Sequence, residues 1–592
     1  MKPAARSIVG VLRSRSGAYV IEPFEASEDP ALEVGDGARG GATVGDAVVA
    51  EVVRPSRAKR GQERRRLEAR VVEVLGPLDA PGVDVEVVAR RRGIRRGFPE
   101  PVRVASAKIP REIPEAELSK RERFLEPAPV TIDGETARDF DDAIAVGSLP
   151  SGGLRLFVHV ADVSYYVTPG DPIDREARLR GTSVYFPDRV YPMVPPRLSD
   201  DLCSLRPGQD RLVQSAVLDV DRRGNVVATR FSDGVIRSAA RLTYTQVASL
   251  LDGEPHPEIE PVVAAMLRRA ETLRVLLERQ RRARGSVDFD LPAPTILLDV
   301  EGVMTGIKVE PRNRAHRMIE EFMLAANEAV AAWLTVRKKP CLFRVHDAPD
   351  PEKVEALAQF AKSIGLTLRP RKDGIRPADI QHLLDQAEGK PFAPVVSTVA
   401  LRSMMQARYS PEDTGHFGLA APHYLHFTSP IRRYPDLVAH RALRGARRRG
   451  KTSLDSDLGA VAESCSRLER DAEAAERELL EWKKVKYLSG RIGEAFDGIV
   501  SGVARFGLFV QLDGGIGEGL LRVERLGGEW FEHDPARHEL RGGGSNRVFR
   551  LGDALRVVVE RADTVLRRVD LRLADPPPVS ARGRSRDRRR RR

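Results

Sequence analysis

The sequence predicts a multidomain α+β protein with a small β-barrel near each end, a mixed α/β region between them and a basic tail. Three observations carry this prediction. Short apolar runs broken by glycine-rich turns fill the first and last folded stretches, which is the pattern of small closed sheets. Long amphipathic helices alternate with strands in the middle. After Pro576-Pro-Pro578 the chain ends in Arg582-Gly-Arg-Ser-Arg-Asp-Arg-Arg-Arg-Arg-Arg592, which offers nothing to pack and reads as disordered. At 592 residues the chain also exceeds what one hydrophobic core supports.

Residues 1–75 hold the apolar runs Ser7-Ile-Val-Gly-Val11, Ala18-Tyr-Val-Ile21 and Asp46-Ala-Val-Val-Ala-Glu-Val-Val53, the expected first barrel. Residues 76–127 are dense in Pro, Arg and Glu and read as a connector with one or two short helices. Residues 128–490 form the mixed region. In Ala315 to Leu334, the residues Ile319, Phe322, Met323, Ala326, Val330 and Trp333 recur at helical spacing. Leu458 to Leu488 reads as a second long helix. Residues 493–574 return to short strands, among them Phe496-Asp-Gly-Ile-Val500, Gly507–Leu512, Leu555–Glu560 and Val569–Leu573, the expected second barrel. Residues 576–592 are the tail.

Composition narrows the function. Net charge is +12 with a pI near 9.7, which points to a polyanionic partner. The surplus is clustered: Arg54 to Arg70 carries eight Lys/Arg against two Glu, Arg90 to Arg96 is a second cluster, and Arg447 to Arg449 a third. The tail fits nucleic acid held by phosphate attraction and counterion release, or serves solubility. No apolar run spans a bilayer, and Met1-Lys-Pro-Ala-Ala-Arg6 lacks the hydrophobic stretch of a signal peptide. Cys203, Cys341 and Cys465 make neither a disulfide framework nor a zinc motif. The chain reads as a cytoplasmic protein without a membrane partner.

The densest chemical signal is Thr131-Ile-Asp-Gly-Glu-Thr-Ala-Arg-Asp-Phe-Asp-Asp142. Asp133, Asp139, Asp141 and Asp142 place four carboxylates within ten residues, at the end of one apolar strand and the start of another. Carboxylates that close repel unless a cation lies between them, and oxygen donors without His or Cys suit Mg²⁺ or Mn²⁺ rather than zinc. A solvated acidic turn or a structural Ca²⁺ loop has the same pattern. In Ser429-Pro-Ile-Arg-Arg-Tyr-Pro-Asp436, a helix start carries Arg432 and Arg433, two guanidinium groups suited to a phosphate or to ion pairs. Glu320 shares a helix face with Asn327, either lining a cleft or simply exposed. Tyr185 and Phe289 sit beside turn residues, where rings stack on bases or join the core.

Taken together, these motifs resemble the ribonuclease II/ribonuclease R family. The resemblance extends through Val158-His-Val-Ala-Asp-Val-Ser164, Gly181-Thr-Ser-Val-Tyr185, Leu202-Cys-Ser-Leu205, Ile319-Glu-Glu-Phe-Met323, Ala326-Asn327, Phe343-Arg-Val-His346, Gly415-His-Phe-Gly-Leu419 and His426-Phe-Thr-Ser-Pro-Ile-Arg-Arg-Tyr-Pro-Asp436, in the family's order. It implies a cold-shock-like OB barrel, an RNB catalytic domain and an S1-type OB barrel. It further implies a processive 3′→5′ exoribonuclease that hydrolyses single-stranded RNA, or structured RNA with a 3′ overhang, to nucleoside 5′-monophosphates. By position, Asp133, Asp139 and Asp142 resemble metal-holding carboxylates, and Asp141 the aspartate on which cleavage most depends. Arg432 resembles the arginine that neutralises the scissile phosphate, with Arg433 beside it. Tyr185 matches the clamp on the terminal nucleotides, and Phe289 the ring under the final base. Glu320 matches an acid near the terminal ribose, and Glu476 a further acid at the site. Metal-assisted hydrolysis needs no Ser, Cys or His nucleophile, so His346 and His440 are expected to be structural.

Some features depart from the family pattern. One cold-shock-like barrel stands where larger relatives have two, with no helix-turn-helix before it. Tyr19 and Phe24 are that barrel's only rings, so its RNA grip is expected to rest on Arg54 to Arg70. In the second barrel, Phe496, Phe506 and Phe509 are candidate stacking positions, and Arg522 replaces a common His. The protein is expected to act as a monomer on RNA threaded from its 3′ end, and no protein partner is legible. Two rivals have distinct signatures: an RNA-binding regulator that has lost cleavage, and a DNA-directed exonuclease using the same metal chemistry.

Overall fold

The computed structural model describes residues 7–24, 31–53, 68–289, 293–299, 303–310, 312–371, 374–390, 392–448, 457–535, 537–545 and 547–574. Most of the basic stretch from Arg54 to Arg70, together with Arg449 and the tail 576–592, lies outside these residues.

Alternation of apolar and polar residues closes the first barrel. Its strands are Ser7–Arg15, Ala18–Pro23, Leu32–Val34, Asp46–Val53 and Glu68–Pro77, with the third and fifth paired in parallel. Leu12, Ile21, Leu32, Val48, Ala50 and Val71 turn inward as its core. Neither of the barrel's rings is free on its surface. Tyr19 lies under the Arg39 guanidinium at 4.2 Å, and buried Phe24 packs on Trp482 with ring centroids 5.3 Å apart. Phe24 thus fastens the barrel to the rest of the protein.

The connector contains three helices, Val83–Arg91, Glu100–Lys108 and Glu115–Leu118, and then the strand Glu122–Phe124, which joins the central sheet. That sheet has seven strands, in the order Ala240–Thr243, Val130–Asp133, Asp142–Ser148, Leu154–Ala161, Asp210–Val220, Val226–Arg237 and Glu122–Phe124. Its interior pairs are antiparallel and its two outermost pairs parallel. Leu154–Ala161 and Asp210–Val220 are buried on both faces, with His159, Gln214 and Ser215 enclosed among their apolar residues. One face packs against the helices Pro261–Ala283 and Arg314–Val336, through Leu156, Val158, Leu218, Leu267, Leu273 and Phe322. The other face packs against Met193, Leu198, Leu205 and Leu437. A separate helical layer, Pro351–Ser363, Pro377–Ala387 and Ala393–Ser403, has its own core around Leu357, Phe360, Ile380 and Leu383.

The helix Leu458–Ser489 is 32 residues long and runs between the barrels. The second barrel comprises Ala495–Ala504, Gly507–Leu512, Gly517–Arg522, Ala554–Asp563 and Arg568–Leu573, again with the third and fifth strands parallel. A three-stranded sheet, Phe531–Asp534, Glu539–Gly542 and Val548–Arg550, is inserted before its fourth strand. Among the described residues no helix is long and apolar enough to cross a membrane.

Candidate active site

Sheet pairing creates the acidic cluster. Val130–Asp133 and Asp142–Ser148 are neighbouring antiparallel strands, so the loop between them returns to the same sheet end. Two anchors fix that loop. Ser204 Oγ accepts the Phe140 N–H at 3.1 Å and donates to Arg138 O at 2.8 Å, while Leu205 N donates to Phe140 O at 3.0 Å. Ser204 follows the wide π-helical turn Arg197–Leu202, which gives the Leu202-Cys-Ser-Leu205 motif its structural task. From the other side, Arg241 Nη2 donates to Glu135 O at 2.9 Å.

Asp133, Asp139, Asp141 and Asp142 line one cavity of about 360 Å³ with Tyr185, Glu320, Asn327, Arg432 and Arg433. Asp141 is 4% exposed; its Oδ1 accepts the Ile431 N–H at 2.9 Å, and its Oδ2 lies 3.4 Å from Arg432 Nε. That contact is an ion pair without a hydrogen bond, and Oδ2 of both Asp133 and Asp141 is buried with no donor. Burial, reinforced by the Asp142 carboxylate, pushes Asp133 well above the usual carboxylate range. Burial raises Asp141 and Asp142 too, against the opposing pull of Arg432. The cluster is therefore electrostatically unfavourable as it stands.

The two arginines of the Ser429–Asp436 motif have different tasks. Arg433 makes a two-point pair with fully buried Asp436, Nε to Oδ2 at 2.9 Å and Nη2 to Oδ1 at 2.8 Å. The same carboxylate accepts Ser429 N–H at 2.8 Å, so this arginine shapes the loop. Arg432 donates to Ser429 Oγ at 2.9 Å and keeps a half-exposed guanidinium toward the acids. The Arg432 carbonyl accepts Ser183 N–H at 2.9 Å, and Tyr434 N donates to Gly181 O at 3.0 Å, bringing Gly181-Thr-Ser-Val-Tyr185 alongside. Gly181 is required: its φ is +69°, and a Cβ there would lie 2.7 Å from Leu468 Cδ1 and 2.9 Å from Leu468 Cβ.

Tyr185 OH donates to Asp139 Oδ2 at 2.8 Å, and Tyr185 N to Glu476 Oε1 at 2.8 Å. Burial and the nearby Asp139 raise the Tyr185 phenol, so it remains a donor. Burial raises Glu476, while the Tyr185 N–H draws it down. Glu476 thus reaches the site through the backbone of Tyr185. Glu320 is gripped by Arg312, which also donates to Asp288 Oδ1 at 3.3 Å. Phe289 follows Asp288 but does not line the cavity; its ring packs beside the helical-layer core. Phe506, 54% exposed, and Phe509 stand 6.1 Å apart on the second barrel, away from the cavity.

His440 and His346 are both held by backbone groups. Buried His440 pairs Nε2 with Phe427 O at 2.8 Å, and burial lowers it to about 4. His346 Nδ1 accepts Gly418 N–H at 3.0 Å, which leaves its Nε2 to donate to Met405 O at 2.8 Å. Sequence reasoning missed Tyr244, which lines the cavity with its ring stacked 3.9 Å from His316. Its only local signal is the capping box of Thr243 and Gln246, which marks a helix start and not a site.

The donor set fits a hard divalent cation: every candidate is an oxygen, and two buried carboxylate oxygens lack donors. Among the described residues no three acidic, His or Cys side chains are already gathered around one point. The four aspartates line one cavity without forming a closed ligand set; Mg²⁺ held by one or two carboxylates takes the rest of its shell from waters and phosphate oxygens.

Comparison with known proteins agrees with this architecture. The RNB domain family matches residues 121–448, the cold shock domain 29–99 and the S1 RNA binding domain 490–573. Ribonuclease R of Aquifex aeolicus is 42% identical over 510 residues, covering 86% of this chain and 72% of that protein. The structure of Mycoplasma genitalium RNase R in complex with ribose methylated single-stranded RNA matches with a TM-score of 0.89 at 27% identity, over 97% of this chain and 90% of that one. Yeast Ssd1, a pseudonuclease, shares the fold alone, with a TM-score of 0.70 at 18% identity. Fold and site define an RNB-domain ribonuclease flanked by a cold-shock barrel and an S1 barrel. Within that class, the chain belongs to the ribonuclease R family.

Proposed function

We propose that this protein is a processive, metal-dependent 3′→5′ exoribonuclease that converts single-stranded RNA to nucleoside 5′-monophosphates, acting as a monomer in the cytoplasm. The observation that carries the reading is the meeting of the acidic loop with Arg432 in one cavity, where buried carboxylate oxygens lack donors. Asp133 and Asp142 would hold Mg²⁺ or Mn²⁺, with Asp139 and Asp141 completing the set. A bound ion of this kind acidifies water and balances charge on a phosphodiester. Arg432, a half-exposed cation at the cavity wall, meets the scissile phosphate. Tyr185, held at its N–H by Glu476 and at its hydroxyl by Asp139, clamps the terminal nucleotides. Glu320 faces the terminal ribose, whose 2′-OH separates RNA from DNA. Phe289, whose ring packs outside the cavity beside the helical-layer core, would need to turn inward to support the final base. Arg433 acts on substrate through the loop it shapes. Phe506 and Phe509 stack upstream bases on the S1 barrel.

The test is RNA labelled at its 5′ end, incubated with Mg²⁺, with EDTA, and with an Asp141→Asn variant. Stepwise shortening from the 3′ end to a small remnant, absent in both controls, is expected. Binding without shortening by wild type, equal to the variant's, would leave an RNA-binding regulator. Equal shortening of DNA would point to the DNA-directed alternative.

A further inference from the structure

One buried carboxylate joins the two barrels. Glu478 is 7% exposed in the helix Leu458–Ser489, yet it takes three guanidinium groups from two distant parts of the chain. Arg91 pairs with Oε1, and Arg92 Nε donates to Oε2 at 2.8 Å; both lie at the end of the helix that follows the cold-shock barrel. Arg567 Nη1 donates to Oε1 at 2.6 Å from the hairpin tip between the last two strands of the S1 barrel. Arg567 holds φ at +53°, a left-handed conformation that an arginine adopts only under constraint. Its guanidinium also lies 5.6 Å from the ring of Trp482, one turn along the same helix. Trp482, fully buried, also meets Phe24 of the cold-shock barrel. Next to it, Lys483 pairs with buried Asp84 at 3.1 Å.

Two residues before Glu478, Glu476 accepts the Tyr185 N–H. Residues spaced by two point to different sides of a helix. One side of this helix therefore holds the Tyr185 strand, and another holds both barrels. We propose that Glu478 is a positioning residue that locks the cold-shock and S1 barrels to the helix bearing the Tyr185 contact, so that RNA crossing the barrels arrives in register with the acidic cavity. This rests on the exoribonuclease reading. Its consequence is processivity: a long RNA is held at barrels and cavity together, and each point of hold multiplies the effective concentration at the other. A short oligonucleotide that fills only the cavity gains nothing from the lock.

The experiment uses full-length protein, wild type and Glu478→Gln, with one long RNA and one oligonucleotide that reaches the cavity alone. A chase of unlabelled RNA added at the start reveals how far each enzyme runs before release. Glu478→Gln is expected to release long RNA ~10-fold sooner, the equivalent of ~1.4 kcal/mol of lost hold. Its turnover of the short oligonucleotide should stay within about twofold of wild type. Equal proportional loss on both substrates would mean a merely structural residue and overturn the proposal, as would an unchanged run length. Arg567→Met, which leaves Arg91 and Arg92 to neutralise Glu478, carries the same expectation at smaller size and decides the matter where Glu478→Gln does not fold. Wild type that shortens neither RNA refutes the exoribonuclease reading itself.

Discussion

Replacing Gly181 with alanine is expected to destabilise the protein by about 2–5 kcal/mol and to disturb Tyr185 and Arg432 together. Two terms make up the magnitude. Gly181 has φ +69° and ψ −41°, outside the left-handed helical region as well as the ordinary ones, at a cost to an L-residue on the order of 1–2 kcal/mol. The new methyl would lie 2.7 Å from Leu468 Cδ1 and 2.9 Å from Leu468 Cβ. Rotation of the leucine relieves the first contact but not the second, because Cβ is fixed to the helix. The helix must step back, an overpacking term of ~1–3 kcal/mol. That shift is felt at Glu476, about two turns further on, and through it at the Tyr185 N–H. The assay is urea unfolding of Gly181→Ala, Leu468→Gly and the double variant, beside RNA shortening by each. Leu468→Gly alone carries a helix penalty of ~1 kcal/mol, and in the double variant it removes the clash. Costs of the two single changes that simply add in the double variant would refute the steric argument. An unchanged unfolding midpoint for Gly181→Ala would refute both terms.

Other expectations follow from the same geometry. Arg432→Lys should keep its melting temperature and lose roughly 10²-fold in cleavage rate, whereas Arg433→Lys should lose stability first by breaking the two-point grip on Asp436; melting and single-turnover rates on both variants separate the two. Burial raises Asp133, so the metal-free folded protein binds more protons there than the unfolded chain, and stability falls as pH rises through the window above the unfolded carboxylate range near ~4. In EDTA, Asp133→Asn should therefore be the more stable protein at neutral pH, with the gap closing on acidification; melting curves across pH check this, and a gap that widens at low pH contradicts it. Because a cation displaces those protons, stabilisation of wild type by Mg²⁺ should grow with pH, readable as the Mg²⁺-dependent shift in melting temperature. Phe506→Ala should weaken binding of long RNA by ~1–3 kcal/mol while leaving its salt dependence unchanged, since stacking releases no counterions; titrations at two salt concentrations decide.

The acidic loop was legible because all four aspartates fall between positions 133 and 142 with strand signals on both sides, so local chain direction alone brings them to one cavity. The long helices were legible for a similar reason: periodicity over many residues outweighs end effects, and Arg314–Val336 and Leu458–Ser489 stand close to their expected bounds. What depends on a distant partner was not legible. Arg432 and Arg433 are adjacent and chemically identical, and only the fold directs one to Asp436 and the other to Asp141. Phe24 reads as a surface ring of a barrel until Trp482, far along the chain, covers it. The sheet Phe531–Arg550 escaped because its strands are three or four residues long and rich in charge, too short for a period to register. Tyr244 offered no motif, since its cavity position comes from the sheet edge that precedes it.

The fold cannot by itself decide between cleavage and mere binding, since a pseudonuclease shares it; the charge arrangement can. A chain that only bound RNA would have no use for carboxylates buried beside one another with oxygens lacking donors, because each such group opposes folding. An apolar or amide residue at Asp133 or Asp141 would relieve that penalty without touching the barrels that hold RNA. Three features therefore belong together: the raised acids, the half-exposed Arg432 guanidinium beside Asp141, and the Tyr185 hydroxyl bound to Asp139. On the proposed reading, each acquires a task once a cation and a phosphate are bound. This interdependence, more than the resemblance of the folds, is the physical argument that the cavity is built for hydrolysis.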